Sequence, residues 1–440
     1  MKQQYPFPGG RAGRAVLWTA LFLLLLLARD TLLTSCLVGF TTAQLLGMAL
    51  AAVLALVFAV YNRRQLSAIC RDRRVILAAV FAAGLLVPML LKRDWQMMYF
   101  SILFCPLLAI AASFAVRWEQ AAKAYVQIIA ALASYSLLCT YVLKGMAQGL
   151  PVFENASQWP FYNFGLSFVV TWPAWFRNFG IFREPGVYQF FLLLGLYLNN
   201  YAARWDKPWK LWLCNGVLAV TMLSTFSVAG VAALGAFTVF LYWDKKYYRT
   251  RQGRWALAAA GLAVLAVLAH LAYTLMSQQF GGSIYYEFYD MFLRLTSGGE
   301  SSSDRMNAVH TDLSYLLKNP IVGAPIAQVF ESTAHNTSST LILYAILGVA
   351  GGSLGLLVWV WMLWDRRRCL LGNLWLVGVM LLSFNTQNLV ADVFFWLFPV
   401  LALAQRWSER PLEGHKHGQN LASPGPADPA GDCPGDQTGL

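Results

Sequence analysis

Residues 211–243 read LWLCNGVLAVTMLSTFSVAGVAALGAFTVFLYW, a run without a single charge. Taken whole it is one long helix. Divided at Ser224-Thr225-Phe226-Ser227 it is two short spans, and every later loop changes sides. The distribution of basic residues decides between them, because Lys and Arg collect in the short cytoplasmic loops of membrane proteins. With the run divided and the N-terminus inside, most of the 33 Lys and Arg fall in segments 1–14, 62–74, 117–123, 204–210, 245–254, 366–368 and 406–440, all on the inner side. Without the division the pattern breaks downstream.

The rest of the chain repeats this grammar. Hydrophobic residues make up 58% and charged residues 12% of the 440, and the mean hydropathy is +0.52. A soluble domain carries about a quarter charged residues, so this chain has too few to coat a water-facing surface. Apolar runs with few or no charges and of about bilayer-crossing length, roughly 17–25 residues, occur at 15–37, 41–61, 75–91, 97–116, 122–143, 186–201, 211–226, 228–243, 255–276, 338–363, 371–387 and 389–405. No period-2 alternation suggests a barrel. The expected fold is all-α and polytopic, with about twelve transmembrane helices in a membrane domain over 1–410. The tail 411–440, rich in Gly, Pro, Asp and Gln, is expected to be disordered on the cytoplasmic side. The net charge of +12 reads as a topology signal rather than a nucleic-acid patch. The first span lacks a small-residue cleavage site and reads as retained. The seven cysteines show no CxxC spacing, so neither a disulfide framework nor a metal site is expected.

This topology puts two larger loops, 144–185 and 277–337, outside the cytoplasm. The first is crowded with aromatics, among them Trp159, Phe161, Phe168, Trp172, Phe179 and Phe182. They read as an interfacial belt, with a sugar- or lipid-facing platform as a compatible second reading. The loop ends in Arg177-Asn178-Phe179-Gly180-Ile181-Phe182-Arg183-Glu184-Pro185-Gly186. Pro185 suits the first turn of a helix, where its missing N–H costs nothing. Glu184 there is favoured by the helix dipole as a capping carboxylate. Arg183 is electrostatically misplaced at a helix N-terminus and calls for an anion: Glu184, another acidic side chain or a ligand phosphate.

In the second loop Ser303 reads as an N-cap, and Met306, Val309, Leu313, Leu316 and Leu317 recur at helical spacing up to the stop at Asn319-Pro320. Arg305 stands at the start of this amphipathic helix, able to pair with Asp304 or Asp312 or to reach the membrane mouth. His335-Asn336 precede the next span, where a lone His is commonly a hydrogen-bonded structural residue.

Taken in order, these motifs are Arg-x-x-Gly-x-Phe at Arg177–Phe182, Arg183, Glu184-Pro185-Gly186, a helix pair broken at Ser224 and Ser227, Ser303-x-Arg305, Asn319-Pro320-Ile321-x-Gly323, and Ala334-His335-Asn336 before Leu347-Gly348-x-x-Gly351. Over about residues 120–405 the chain resembles the O-antigen ligase/polymerase family of integral membrane glycosyltransferases. The Glu-Pro-Gly form looks most like capsular and exopolysaccharide repeat-unit polymerases. The resemblance implies transfer of a glycan from a polyprenyl diphosphate to a sugar hydroxyl, on the outer face of a bacterial inner membrane, with both termini cytoplasmic. Bidentate arginines suit diphosphate oxygens, which assigns Arg183, Arg305 and Arg177 to the donor. A carboxylate or imidazole suits activation of the hydroxyl, which assigns Glu184 and His335 as catalytic groups, with Asn336 and Ser303 in support. No metal or cofactor is called for. The expected partners are the polyprenyl-diphosphate-linked oligosaccharide and the bilayer, with a chain-length regulator left open and nucleic acid excluded. Two alternatives remain: a ligase moving finished glycan to a lipid or protein acceptor, and a transporter of the same lipid-linked glycans. The latter should carry deep charges and inverted repeats; Arg29-Asp30 is the main charged pair within a span, Lys123 lies near a span end, and no internal repeat is evident.

Overall fold

A computed structural model describes residues 11–31, 33–61, 69–154, 160–170, 176–251, 254–255, 287, 300–331 and 338–409. The expected span 255–276, except for Trp255, and the tail 411–440 lie outside them. The described chain is mainly helical. Its helices are α1 (Arg11–Leu26), α2 (Phe40–Tyr61), α3 (Arg73–Lys92), α4 (Met97–Ala112), α5 (Trp118–Tyr141), α6 (Pro185–Tyr201), α7 (Pro208–Ser224), α8 (Val228–Asp244), α9 (Glu300–Lys318), α10 (Ile326–Glu331), α11 (Ser339–Leu363), α12 (Leu370–Phe384) and α13 (Val393–Glu409). Of these, α3, α5 and α11 are long and apolar enough to cross a bilayer. Shorter apolar helices include most of α1 and all of α4, α8 and α12.

The division of 211–243 is real. Helix α7 ends at Ser224, and Ser227 caps α8 by accepting the Gly230 N–H at 3.3 Å. Phe226 between them takes a positive φ of 48°, which no continuing helix tolerates. Elsewhere capping follows the sequence: Asp72 accepts from the Arg74 N–H to open α3, and Ser338 accepts from Leu341 to open α11.

Contacts between distant connections sort them into two ends. At one end Arg74 donates to Ser113 O, the Trp118 N–H to Gln405 Oε1, and Arg368 to Asp244. At the other, Arg183 meets Asp30, the Asn178 N–H meets Ser224 O, the Ile326 N–H meets Asp94, and Ser338 meets Asn385.

The structure also departs from the sequence reading. The first span, expected over 15–37, stops at Leu26 and resumes as a π-helical turn over Leu33–Leu37. Asp30 has a φ of 58°, Thr31 Oγ1 donates back to Leu26 O at 2.6 Å, and Thr31 bridges to Phe182. Arg29-Asp30 therefore ends a helix instead of lying within one. The 144–185 loop adds a small sheet to an otherwise helical fold. It folds as an antiparallel meander of β1 (Val152–Glu154), β2 (Pro160–Asn163) and β3 (Phe168–Val170), with Phe161 opposite both Phe153 and Val170. Phe161, Phe168 and Phe179 are buried together beneath it, because ring edges pack on ring faces better than on water. Trp159, Trp172 and Trp175 lie outside the described residues.

Helix α9 begins at Glu300, three residues before the expected cap at Ser303; an acid in the first turn is favoured by the helix dipole. It ends at Lys318, as Asn319-Pro320 requires. Among its described side chains Ala308 and Asp312 are buried and Val309 and Leu316 half-buried, whereas Met306, Leu313 and Leu317 are exposed. Helix α11 is broken at Gly348, with φ 68° and ψ −173°. Finally, the expected spans 371–387 and 389–405 are separated by a buried polar turn over 385–392.

Candidate functional site

The decamer Arg177–Gly186 spans the mouth of the bundle, and local chemistry accounts for its shape. Asn178 is fully buried. Its Oδ1 accepts the Gly180 N–H at 2.9 Å, its Nδ2 donates to Ser136 Oγ at 3.0 Å, and its backbone N–H donates to Ser224 O at 2.8 Å. Gly180 takes a φ of 57°, and a Cβ there would stand 2.5 Å from the Tyr188 ring. Only glycine fits both the turn and the ring. At Gly186 a Cβ would stand 2.5 Å from Gln387 Nε2, so the Glu-Pro-Gly sequence lets the polar turn before α13 close over the start of α6.

Pro185 occupies the first turn of α6 and Glu184 its N-cap position, as expected. Glu184 makes no side-chain capping bond, however, which corrects that reading. Its carboxylate is instead 44% exposed and 3.9 Å from Arg183 Nη2. Arg183 has a second partner that the sequence did not single out. Asp30 Oδ1 lies 3.5 Å from the guanidinium, and the Arg183 N–H donates to Asp30 O at 2.6 Å. Arg29 Nε in turn lies 3.4 Å from Asp30 Oδ2. The Arg29 N–H donates at 2.8 Å to Asp392, a carboxylate 2% exposed that also accepts the Phe394 N–H at 2.8 Å. The misplaced cation at the helix start is thus held loosely by two carboxylates and leaves 36% of its side chain exposed.

Arg177 points elsewhere: its Nε donates to Thr225 O at 3.3 Å, at the α7–α8 break. Beside it, Glu287 is 3% exposed and accepts the Phe176 N–H at 3.3 Å. Lys144 Nζ lies 4.9 Å from the centre of the Phe176 ring. Burial lowers its amine from the usual 10.5 to about 8, against the opposing pull of Glu287. At pH 8 about half the Lys144 amine is uncharged and nucleophilic. Its acylation by an amine-reactive probe should rise with a midpoint near pH 8, read by peptide mass spectrometry. A midpoint at the usual lysine value would show that the amine is not desolvated.

Ser303 and Arg305 lie in the first turns of α9, with side chains outside the described residues. His335 and Asn336 lie outside them altogether. Arg183 and Glu184 are therefore brought together with Asp30, Arg29 and Asp392, while Arg177 joins a neighbouring cluster with Thr225. Sequence reasoning missed Asp392 and the turn Asn385-Thr386-Gln387-Asn388. The signal was there in an isolated carboxylate within an apolar run, since an acid in such a run marks a functional position more often than a structural one. Some polar atoms beneath the mouth have no partner among the described residues: both side-chain heteroatoms of Asn388 and Gln189 Oε1 are buried and unbonded there. Among the described residues no cluster of His, Cys, Asp and Glu has the makings of a metal site. No family model, no curated protein and no solved structure matches the chain.

Proposed function

We propose that this chain polymerises polyprenyl-diphosphate-linked oligosaccharide repeat units into a surface polysaccharide, on the outer face of a bacterial inner membrane. The observation that carries the reading is the half-exposed Arg183–Glu184 pair at the start of α6. Both side chains are exposed enough to meet a ligand, and the pair stands on a rigid, buried helix. In the reaction the anomeric carbon–phosphate oxygen bond breaks and an anomeric carbon–acceptor oxygen bond forms. The acceptor proton passes to Glu184 or His335, and the lipid diphosphate leaves with its charge held by arginine. Arg183 supplies that cation, with Arg305 and Arg177 as its proposed companions, and Asn336 and Ser303 support the site. Guanidinium pairs with phosphate oxygens through two parallel N–H bonds, and here the competing carboxylates are at the long end of ion-pair range. The leaving group is already good, so the work of the protein is positioning and charge stabilisation, which needs no cofactor.

Arg183→Ala should end long-chain polymer in cells while leaving single repeat units on the carrier or its acceptor. Banded polysaccharide gels, with membrane protein amounts matched by blotting, read the outcome. Long chains at the wild-type level would sink the reading. Full-length polymer accumulating on the carrier would favour the ligase, the second reading that the same resemblance carries.

A further inference from the structure

A furrow runs along the outside of α1, and nothing in the proposed chemistry has used it. Two adjoining hollows share Leu24 and Leu108 and have empty volumes of about 840 and 510 Å³. The inner hollow is walled by α1, α4 and α13 and is apolar, with Leu17, Leu21, Ala112 and Leu401 among its lining. Its floor at Leu21, Leu24 and Leu401 is buried, while Leu17, Leu108 and Ala112 on its rim are half-exposed. The furrow is therefore open sideways. From Ser101 to Ala112 α4 rises roughly 16 Å, about half the thickness of a bilayer's hydrocarbon core.

The outer hollow ends in polar groups: Gln44 of α2, Ser101 of α4, Arg29 and Asp392. Gln44 Nε2 is buried there and finds no acceptor among the described residues. An unsatisfied amide at the head of an apolar furrow is a costly arrangement, and a ligand oxygen would relieve it. Arg29 links the furrow to the mouth, because Asp30 joins its guanidinium, at 3.4 Å, to that of Arg183, at 3.5 Å.

We propose that the furrow seats the isoprenoid tail of the lipid carrier, with its phosphate end at Gln44 and Arg29 and the glycan beside Arg183. The inference rests on the proposed function and names how the donor enters: sideways from the lipid, tail first along α1. A single furrow accepts one chain, whereas a diacyl phospholipid brings two.

The full chain in nanodiscs, loaded with polyprenyl monophosphate, tests this by native mass spectrometry. Ala112→Trp and, from the opposite wall, Ala20→Trp fill the furrow without touching the mouth. Each should lower carrier retention at least about tenfold, or 1.4 kcal/mol. Gln44→Leu should erase the preference for polyprenyl phosphate over the corresponding polyprenol. Retention unchanged in both tryptophan variants, or equal displacement of the carrier by a diacyl phospholipid, would overturn the furrow. Polymer length in cells separates this from failure of the catalytic reading. If the filled variants bind carrier normally while Arg183→Ala ends long-chain polymer, the furrow falls alone. If they lose carrier while Arg183→Ala leaves polymer intact, the furrow stands as a lipid site and the polymerase reading falls.

Discussion

Gly348→Ala should yield little folded protein after detergent extraction and a strongly lowered melting point in what remains, whereas Gly378→Ala should melt like the wild type. The first residue interrupts α11 at φ 68° and ψ −173°, a region that essentially only glycine occupies and that costs other residues of order 1–3 kcal/mol. The second difficulty is steric. A Cβ at Gly348 would run into Ile321 O and come within 2.9 Å of Pro320 O. Gly323 faces the same obstacle in reverse, with a φ of 72° and a Cβ directed into the Ile346 carbonyl. The two glycines let the loop after α9 and the break in α11 pass backbone against backbone. Bonds from the Ala324 N–H to Ala345 O and from the Val349 N–H to Pro320 O, each 2.7 Å, lock them together. Lys92 and Tyr99 donate to Ile346 O, one of the carbonyls freed by the break, and Lys92 also reaches Ala324 O at 3.0 Å. Any shift that relieves the clash leaves buried carbonyls without donors, at about 1–3 kcal/mol each. The combined loss is a large share of the roughly 5–15 kcal/mol that stabilises a folded domain. Gly378 has nothing within 4 Å of its would-be Cβ and serves as the matched control. Equal thermal unfolding midpoints for the two variants would refute the interlock.

That interlock also marks where the sequence stopped being readable. Helices such as α5, α6 and α8 lie close to their expected spans because long apolar runs bounded by charge, proline or hydroxyl caps carry their own ends. Pro185 and Ser227 are local causes with local effects. Gly348 stands in the Leu-Gly-x-x-Gly motif, yet its conformation depends on Ile321 and Pro320, far away in sequence. Likewise Arg29-Asp30 sit between apolar stretches that read as one span. What ends the helix is the Asp392 carboxylate and the Phe182 bridge, neither of which a window around residue 30 contains. The strands over 152–170 have three or four residues each, too short for a period to show. The site divides in the same way. Arg183 and Glu184 were legible because a cation at a helix start contradicts the dipole. Their partner Asp30 was not, because the pairing is tertiary. The amphipathic helix α9 was legible as well, although periodicity shows that a face is apolar, not what covers it.

Asp392→Ala should therefore do more damage than its distance from the exposed mouth suggests. Its two oxygens accept the Arg29 and Phe394 N–H groups, both at 2.8 Å, and the residue is almost wholly enclosed. Alanine would strand both donors, at about 1–3 kcal/mol each, so thermal stability should fall by roughly 2–6 kcal/mol. Asp392→Asn keeps one acceptor oxygen and should lose about half as much. The functional consequence follows the covalent chain. Residue 29 tethered to Asp392 fixes residue 30, whose carbonyl accepts the Arg183 N–H at 2.6 Å and whose carboxylate faces the Arg183 guanidinium. Freeing that segment should raise hydrogen exchange at the amides of residues 29, 183 and 394 together. A rise confined to residue 394 would mean that Asp392 merely caps α13. In the proposed reaction Arg183 must hold a diphosphate while Glu184 stays free to take a proton. A cation anchored through its own backbone can do that without relying on a tight side-chain ion pair that the substrate would first have to break. If the proposed reaction holds, Asp392 is a positioning residue for it, and its alanine variant should lose polymer length even at temperatures where the folded fraction is unchanged.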